Sequence, residues 1–279
     1  MPYMTDIRPC AQLWRAMAQF NRHSADMGGP SPTALAFQPD PEKRYKLIYL
    51  ARRNPALAPA EFPEAWRSHA ALAGKFATSL GKHFLSSHQC VKDREEGVSA
   101  LLTKDYDGST ILGMKSWEDL LAARYHPHSL EELYEDEKRV FAGAVDNWTM
   151  AVEESVIVDG DATSHVLLSF VSPEKRDGFD LASRAAAGRL PAAFPDAKRI
   201  VWNEVVDPAK AYRFAAVIEV WFPNRDKALA AASNDKALEN LGQATLASAT
   251  ESVQMLAKLN LARQTTGSDG ATEWTQTSD

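Results

Sequence analysis

The fold is decided by residues 44–80, RYKLIYLARRNPALAPAEFPEAWRSHAALAGKFATSL, in which a β-type run is followed by an amphipathic helix. Bulky apolar residues dominate 45–53, as they do in a buried strand. Further on, one set of residues recurs at steps of four and three, the spacing that places one face of an α-helix against a core. This stripe consists of Phe62, Trp66, His69, Ala73, Phe76 and Leu80. His69 is its polar member, so it is either a hydrogen-bonded core histidine or a residue that lies over a pocket.

The order of elements in this stretch occurs twice along the chain. Helical segments separate further strands, which are predicted at 83–93, 109–117, 147–158, 164–173, 197–206, 212–222 and 251–262. Each half therefore has the order β-α-β-β-α-β, the ferredoxin-like pattern in which an antiparallel sheet carries helices on one face. We predict an α+β fold of two tandem ferredoxin-like (βαββαβ) domains whose antiparallel sheets pack into an α+β barrel.

These elements divide the chain into four segments. We expect an N-terminal arm over 1–43, a first domain with the active pocket over 44–160, and a degenerate second domain over 161–263. The last segment, 264–279, is polar and is predicted to be a disordered tail. Within the second domain we expect one helix to end at Pro191 and another to span 225–242.

Composition excludes several classes of protein. The net charge of −6 argues against a general nucleic-acid or anionic-membrane binder, which needs a basic face. The two cysteines offer no disulfide framework, and no apolar run approaches the ~20 residues of a membrane span, so we expect a cytoplasmic protein without a membrane partner. Glycine-rich phosphate-binding and GxSxG motifs do not occur, and we predict no cofactor.

Several segments of the first half together resemble the EthD family of dimeric α+β barrel proteins. They are KLIYLARRNPALAPAEF, WRSHAALA, FLSSHQCV, YDG and DEKRVF. The resemblance covers 44–158, and 164–262 resembles a degenerate second copy. It implies the fold and not one activity, because related barrels include dehydratases, cyclases, decarboxylases, isomerases, cofactor-free oxygenases and haem-degrading enzymes. In many of these enzymes the pocket lies between the sheet and its helices, and His69 would then line it.

Histidines supply the candidate catalytic groups, because an imidazole titrates near neutral pH and suits proton transfer next to a carbonyl or hydroxyl. We select His69, His88 and His126. The structural alternatives are a hydrogen-bonded core histidine for His69 and a helix-capping role for His126, while His83 is more often a solvated residue at the start of a strand. His83 and His88 are an odd number of residues apart, so a regular strand sends them to opposite faces. The motif match favours His88 for the pocket, and which of the two faces it stays open.

Candidate substrate contacts are apolar or basic. A flat wall for an aromatic or polycyclic substrate, with a basic group for an anion, is predicted from Tyr49, Arg52, Trp66, Met114 and Tyr125. Such residues are more often core residues than ligand contacts. The run EELYEDEKR is interpreted as a solvated helix face.

We therefore predict a cofactor-independent acid–base lyase, of a dehydratase, elimination or cyclisation type, that acts on an apolar, oxygenated small molecule. The alternatives are an oxidative or haem-linked enzyme of the same fold and a non-catalytic small-molecule carrier. His126 and His128 form an HxH pair around a proline, a weak pattern for a metal, and no metal site is predicted. The internal repeat is compatible with a monomer or with a homodimer.

Overall fold

The computed structural model describes residues 34, 36–74, 81–94, 98–99, 101–124, 131–173, 188–209, 214–244, 252–266 and 271–275. The chain divides into two compact units, 1–37 and 38–279, and the second unit contains all the elements described below. Most of the predicted N-terminal arm lies outside the described residues. Its course is therefore still a prediction.

The elements follow the predicted order closely. The strands are β1 (Arg44–Ala51), β2 (Phe84–Lys92), β3 (Gly108–Met114), β4 (Met150–Val158), β5 (His165–Val171), β6 (Arg199–Asp207), β7 (Ala216–Phe222), β8 (Val253–Thr266) and β9 (Ala271–Thr275). The helices are α1 (Phe62–Gly74), α2 (Trp117–Arg124), α3 (Glu131–Val140), α4 (Leu190–Ala193), α5 (Arg225–Ala232) and α6 (Asp235–Ala244).

The strands form one antiparallel sheet that closes on itself. The order is β2-β3-β1-β4-β6-β7-β5-β8, and β8 pairs back onto β2 while β9 extends from β8. Each half has the same internal order, second-third-first-fourth strand, and the halves join through hydrogen-bonded seams at β4–β6 and β2–β8. Closure removes the exposed edges that two separate sheets would leave. The predicted α+β barrel class is confirmed.

Alternation along each strand creates two layers, because successive side chains of a strand point to opposite faces. The barrel interior is packed by residues that include Ile48, Leu50, Ile111, Val152, Leu168, Trp221 and Met255. The helix-facing layer of the first half contains Ala51, Phe62, Trp66, Val91, Val140, Phe141 and Val145. The helix-facing layer of the second half is larger and aliphatic, with Leu167, Ile218, Leu241 and Leu256 among its members.

Charged residues cross the barrel interior. Lys46 Nζ lies 2.6 Å from Glu154 Oε2 and 2.6 Å from Glu219 Oε1. Arg199 Nη2 lies 3.0 Å from Glu154 Oε1, and the Trp221 indole N–H donates to Glu219 Oε2 at 2.9 Å. Lys46 and Glu154 come from the first half, and the other three from the second. The network therefore links the two halves inside the barrel.

Three local predictions need correction. Residues 264–266 continue β8 and 271–275 form β9, so the predicted tail is not disordered there, because the backbone groups pair along the barrel edge. Pro191 lies in the first turn of α4, a position that needs no backbone N–H, and residues 188–189 before it form a turn, so the predicted helix does not run up to Pro191. Residues 174–187, which cover most of that predicted helix, lie outside the described residues. The expected helix over 225–242 breaks into α5 and α6, because the Asn234 side chain accepts a hydrogen bond from the Ala237 N–H and starts a new helix.

Among the described residues, no helix is both long and apolar enough to cross a membrane.

Candidate functional site

His69 lies on α1, in the stripe that the sequence predicted. Phe62, Trp66 and His69 are buried, at 1%, 1% and 8% exposure. The helix starts where the Glu61 side chain accepts a hydrogen bond from the Ala58 N–H at 2.6 Å, and Pro63 occupies its first turn. Residues 75–80, which include the last two members of the predicted stripe, lie outside the described residues. The first three members of the stripe are thus confirmed as a buried face, and Ala73, the fourth, is half-buried.

His69 is bonded to a carboxylate and not to a backbone carbonyl. Its Nδ1 lies 2.9 Å from Oδ2 of Asp136, which projects from α3. Because a carboxylate only accepts hydrogen bonds, this contact places the proton on Nδ1 and leaves the Nε2 lone pair available. Nε2 makes no hydrogen bond to any described residue. The pair therefore has the geometry of a base held in one tautomer by an acidic partner.

Asp136 is itself held in place by a guanidinium. Arg139 donates from Nε to Oδ1 at 2.7 Å and from Nη2 to Oδ2 at 3.1 Å, a two-point contact that fixes the carboxylate plane. The Arg139 hydrogen bonds, together with the weaker effect of His69, hold the pKa of Asp136 below its ordinary value against the opposing effect of burial. Asp136 is therefore ionised at neutral pH.

Burial lowers the pKa of the His69 imidazole below its ordinary value of 6.5. The hydrogen bond and the charge of Asp136 oppose this change, and the more distant Arg139 adds to it. The imidazole is consequently neutral at neutral pH, the form that can accept a proton.

Aromatic rings surround this pair. The Phe141 ring meets the His69 ring edge to face at 5.5 Å between centroids, and it also contacts Trp66 at 5.7 Å. Tyr49 lies 6.4 Å from Trp66 and 6.4 Å from Phe141. Trp66 fits because Gly108 has no side chain: a Cβ there would lie 2.5 Å from the indole. Burial raises the pKa of Tyr49 to about 12, so its phenol stays protonated.

His88 does not share this layer, which corrects the sequence prediction. Its ring faces the barrel interior, 5.6 Å from the Trp221 ring, whereas the neighbouring Gln89 faces α1 and donates to the Trp66 carbonyl at 3.2 Å. Burial lowers the pKa of His88, with Glu219 opposing that effect. His83 precedes β2 and lies 2.6 Å from Asp119 through Nδ1, so neither of the two joins His69.

The remaining predicted site residues are not brought together around His69. Tyr125 and His126 lie outside the described residues, and their roles stay predictions. Arg52 is exposed and lies over the Tyr106 ring at 4.6 Å, so it does not point at His69. Met114 is buried at the far end of β3 from Gly108, about 20 Å from the Trp66 contact at ~3.3 Å per residue. Of the predicted wall residues that the structure describes, Tyr49 and Trp66 lie in the aromatic layer with His69.

Two of the pockets that the described residues form border the first half. One, of about 380 Å³, is lined by Phe141, which also contacts His69, together with Asn54, Pro55, Tyr134, Glu137, Lys138, Ala142, Gly143 and Ala144. The other, of about 560 Å³, lies at the start of α1 beside the ends of β2 and β8. Among the residues that the structure describes, no three His, Cys, Asp or Glu side chains are grouped so as to hold a metal ion.

Sequence reasoning missed Asp136 and Phe141, although both lie in the DEKRVF motif that was recognised. The interpretation of EELYEDEKR as a solvated face is wrong for Asp136 and Glu137, whose side chains are largely buried against α1 and the loop after α3. The motif did contain the signal: an acid followed by arginine three residues on and an apolar Val-Phe pair indicates a helix end that packs inward.

Comparison with known proteins agrees with this architecture. Residues 54–144, which lie in the first half of the barrel, match the EthD domain family model. An anthrone oxidase-like protein of known structure is 12% identical, with a TM-score of 0.51 over 80% of this chain and 93% of that chain. A chlorite dismutase from Candidatus Nitrospira defluvii in complex with imidazole is 7% identical, with a TM-score of 0.41 over 77% of this chain and 90% of that chain. No curated protein sequence matches the chain.

Proposed function

We propose that this chain is an acid–base enzyme in which His69 removes a proton from an apolar, oxygenated, aromatic small molecule. One observation carries the proposal: a neutral imidazole bonded to an ionised carboxylate inside an aromatic layer. Purely structural packing would be served more simply by leucine at this position, since burial of an imidazole needs a hydrogen-bonded partner. An EthD domain on an α+β barrel is consistent with an enzyme.

The proposed reaction starts at Nε2 of His69. This nitrogen takes the proton from a carbon next to a carbonyl, and the C–H electron pair moves into the carbonyl to form an enolate. Asp136 stabilises the imidazolium that results, so it acts as a positioning residue. If the neighbouring carbon carries a hydroxyl, the enolate expels it, and the proton held on His69 leaves with it as water. The net reaction is a dehydration, the lyase activity proposed here.

A second candidate is an oxidase. It is motivated by the structural match to an anthrone oxidase-like protein. Anthrone is an apolar ketone with an acidic C–H group, and its reaction with one molecule of oxygen gives anthraquinone and water. Both candidates begin with the same deprotonation, so they differ in what happens to the enolate. A haem-linked oxidase would differ from both candidates in its absorption spectrum, because haem is a chromophore.

The test uses the purified full chain with two probes, anthrone and a β-hydroxy aryl ketone, under air and under nitrogen. A lyase gives a product that has lost water in both atmospheres, and an oxidase gives anthraquinone only under air. An absorption spectrum with a Soret band would reject the cofactor-independent form of the proposal. Recovery of both probes unchanged, with deuterium exchange no faster than in buffer, would favour a non-catalytic carrier.

A further inference from the structure

Three polar groups of the helix-facing layer lie together in the part of the first half that holds His69. Tyr49 on β1 and Thr110 on β3 are directly opposite each other in the sheet, so their side chains share one face. Gly108 lies on that same face of β3, and the Trp66 indole of α1 packs over it. The phenol of Tyr49, the hydroxyl of Thr110 and the indole N–H of Trp66 thus belong to the space between the sheet and α1.

The Tyr49 phenol is close to both of the other groups. Burial raises the pKa of Tyr49, and the charge of Glu137 adds to this effect, while the Thr110 hydroxyl and the Trp66 indole N–H lower the pKa. An O–H or N–H group lowers the pKa of a phenol when it stabilises negative charge on the phenol oxygen. The three polar groups therefore surround one small region of the layer.

These groups offer donors that the described residues do not use. Thr110 is 5% exposed, and its Oγ1 atom makes no hydrogen bond of normal geometry. The Tyr49 hydroxyl and the Trp66 indole N–H likewise form no such bond to a described residue. A buried hydroxyl without a partner is costly and rare in folded proteins. Because an indole N–H can only donate and both hydroxyls can donate, the cluster is suited to an acceptor oxygen.

The cluster is also accessible and lies within reach of His69. Tyr49 stays half-buried, whereas Trp66 and Phe141, which contact it, are 1% and 2% exposed. Trp66 and His69 are three residues apart on α1, so they are neighbours on one helix face with about 5–6 Å between their Cβ atoms. A flat molecule along this face contacts the donors at one end and His69 at the other.

We propose that Tyr49, Thr110 and Trp66 form the site for the carbonyl oxygen of the substrate, and that Tyr49 is a second catalytic residue. When Nε2 of His69 takes the proton, the electron pair of the C–H bond moves toward the carbonyl, and its oxygen becomes negatively charged. The Tyr49 O–H group donates to this oxygen and keeps its proton, and Thr110 and Trp66 donate beside it.

This inference rests on the proposed function and narrows its substrate class. The substrate is a flat aryl ketone whose carbonyl lies against β3 while its acidic C–H group faces α1. Anthrone has this arrangement, because its carbonyl and its acidic C–H group occupy opposite positions of the central ring.

The first test uses xanthone, a flat aryl ketone that has a ring oxygen in place of the acidic C–H group of anthrone. Its carbonyl is labelled with carbon-13, and the infrared carbonyl band is recorded with the full chain. We expect the band of bound xanthone to lie at a lower frequency than in hexane, because hydrogen bonds weaken the carbonyl bond. Tyr49→Phe and Thr110→Val should each reduce this shift, whereas His69→Gln should keep it, since xanthone offers His69 no proton.

The matched control for the loss of a phenol hydroxyl is Tyr45→Phe. Tyr45 lies on the same strand and face as Tyr49, but its hydroxyl binds the backbone of Asp40, accepting from the N–H at 2.8 Å and donating to the carbonyl at 3.0 Å. This variant should leave the carbonyl band of bound xanthone unchanged.

The second test is catalysed deuterium exchange into anthrone. Tyr49→Phe should lower kcat by about 10²-fold, the typical cost of one donor to a developing oxyanion. KM should change less than about threefold, because the donor acts mainly on charge that develops in the transition state. Thr110→Val should not lower the urea midpoint, since its hydroxyl has no partner to lose.

The outcomes separate this inference from the proposed function. Absence of xanthone binding, an unshifted band in the wild-type chain, or an equal shift in Tyr49→Phe would overturn the site for the carbonyl oxygen. A wild-type exchange rate in Tyr49→Phe would overturn its catalytic role, and a lower urea midpoint in Thr110→Val would assign Thr110 to the fold. A shifted band without catalysed exchange in the wild-type chain would instead overturn the proposed enzyme activity and support the binding site.

Discussion

His69 and His88 lie in the two layers on opposite faces of the barrel sheet, and they differ in their hydrogen-bond partners. His69, in the helix-facing layer, is bonded to Asp136, whereas His88, in the barrel interior, has a ring contact with Trp221 and no hydrogen bond within the described part of the chain. Burial lowers the pKa of both imidazoles. Glu219 acts on His88 through its charge, whereas Asp136 is hydrogen-bonded to the His69 ring and so also fixes the tautomer of His69. The hydrogen-bonded carboxylate, and not burial alone, is therefore what distinguishes the proposed base His69 from His88.

The polar groups of the two layers also differ in how completely they are paired. In the barrel interior Lys46, Arg199, Glu154 and Glu219 pair among themselves and balance in sign. Burial opposes ionisation of Glu219, but Lys46, Trp221 and Asn203 together lower its pKa below the ordinary value of 4.5. These ions satisfy each other and join strands of both halves. In the helix-facing layer, by contrast, Nε2 of His69 is left without a partner among the described residues.

The largest expected effect is the difference in activity between two single substitutions, His69→Gln and His88→Gln. His69→Gln should lower catalysed deuterium exchange into anthrone by about 10²–10⁴-fold, because a positioned general base contributes about that much. His88→Gln should stay within about threefold of wild type, because His88 lies on the other face of the sheet. Exchange is followed by mass spectrometry in D₂O, with the uncatalysed rate subtracted. Equal losses in both variants would show that the two layers are not functionally distinct.

The next effect is on folding and concerns the barrel interior. Lys46→Met leaves Glu154 and Glu219 close together without their shared cation, and we expect the free energy of unfolding to fall by about 3–5 kcal/mol. The control is Lys43→Met, which removes a partly exposed pair with Glu153 at 3.6 Å and should cost less than about 1 kcal/mol. Urea unfolding measures both.

The pH dependence of the free energy of unfolding of the wild-type chain also tests the structural role of the interior network. Because the folded-state pKa of Glu219 is lowered, its contribution to stability is present above pH 4.5 and is lost as the pH falls through the folded pKa. A similar loss of stability in Lys46→Met and Lys43→Met at neutral pH would contradict a structural role for the interior network.

A smaller loss of activity is expected from Asp136→Asn. The amide keeps the volume but loses the negative charge, so the imidazolium is less stable and exchange should fall about 10²-fold. The pKa of His69 should fall further, since Asp136 raises it in the wild type. Glu135→Gln is the control: Glu135 is exposed on α3 and pairs with Lys138 at 2.6 Å, so its loss should not matter. An Asp136→Asn variant with full activity would contradict the proposed role of Asp136 as the positioning residue of His69.

Much of the fold could be predicted from the sequence, because strands and helices differ in period. The order of strands and the stripe through Phe62, Trp66 and His69 follow from spacing alone. The face of β2 on which His88 lies does not follow from spacing. Alternating positions of β2, FLSSHQCVK, place polar and apolar residues on both faces, so no hydrophobic contrast indicates which face is inside.

The candidate site was predictable only in part, for a similar reason. His69 stood out as a polar residue in an apolar stripe, but its partner Asp136 lies 67 positions away in a run of charges. Charged runs on helices usually face solvent, and only the packing of α3 against α1 turns Asp136 inward. The extra strand β9 has no apolar pattern, and its pairing depends on an edge that β8 provides.

The pH dependence of deuterium exchange, from about pH 5 to about pH 8, tests the central claim most directly. If His69 acts as the base, the wild-type rate rises with pH through a pKa below 6.5 and is flat at neutral pH, because the neutral imidazole is the active form. The residual rate of His69→Gln then lacks this rise. A wild-type rate that falls as the pH increases, or the same rise in His69→Gln, would contradict the assignment of His69 as the general base.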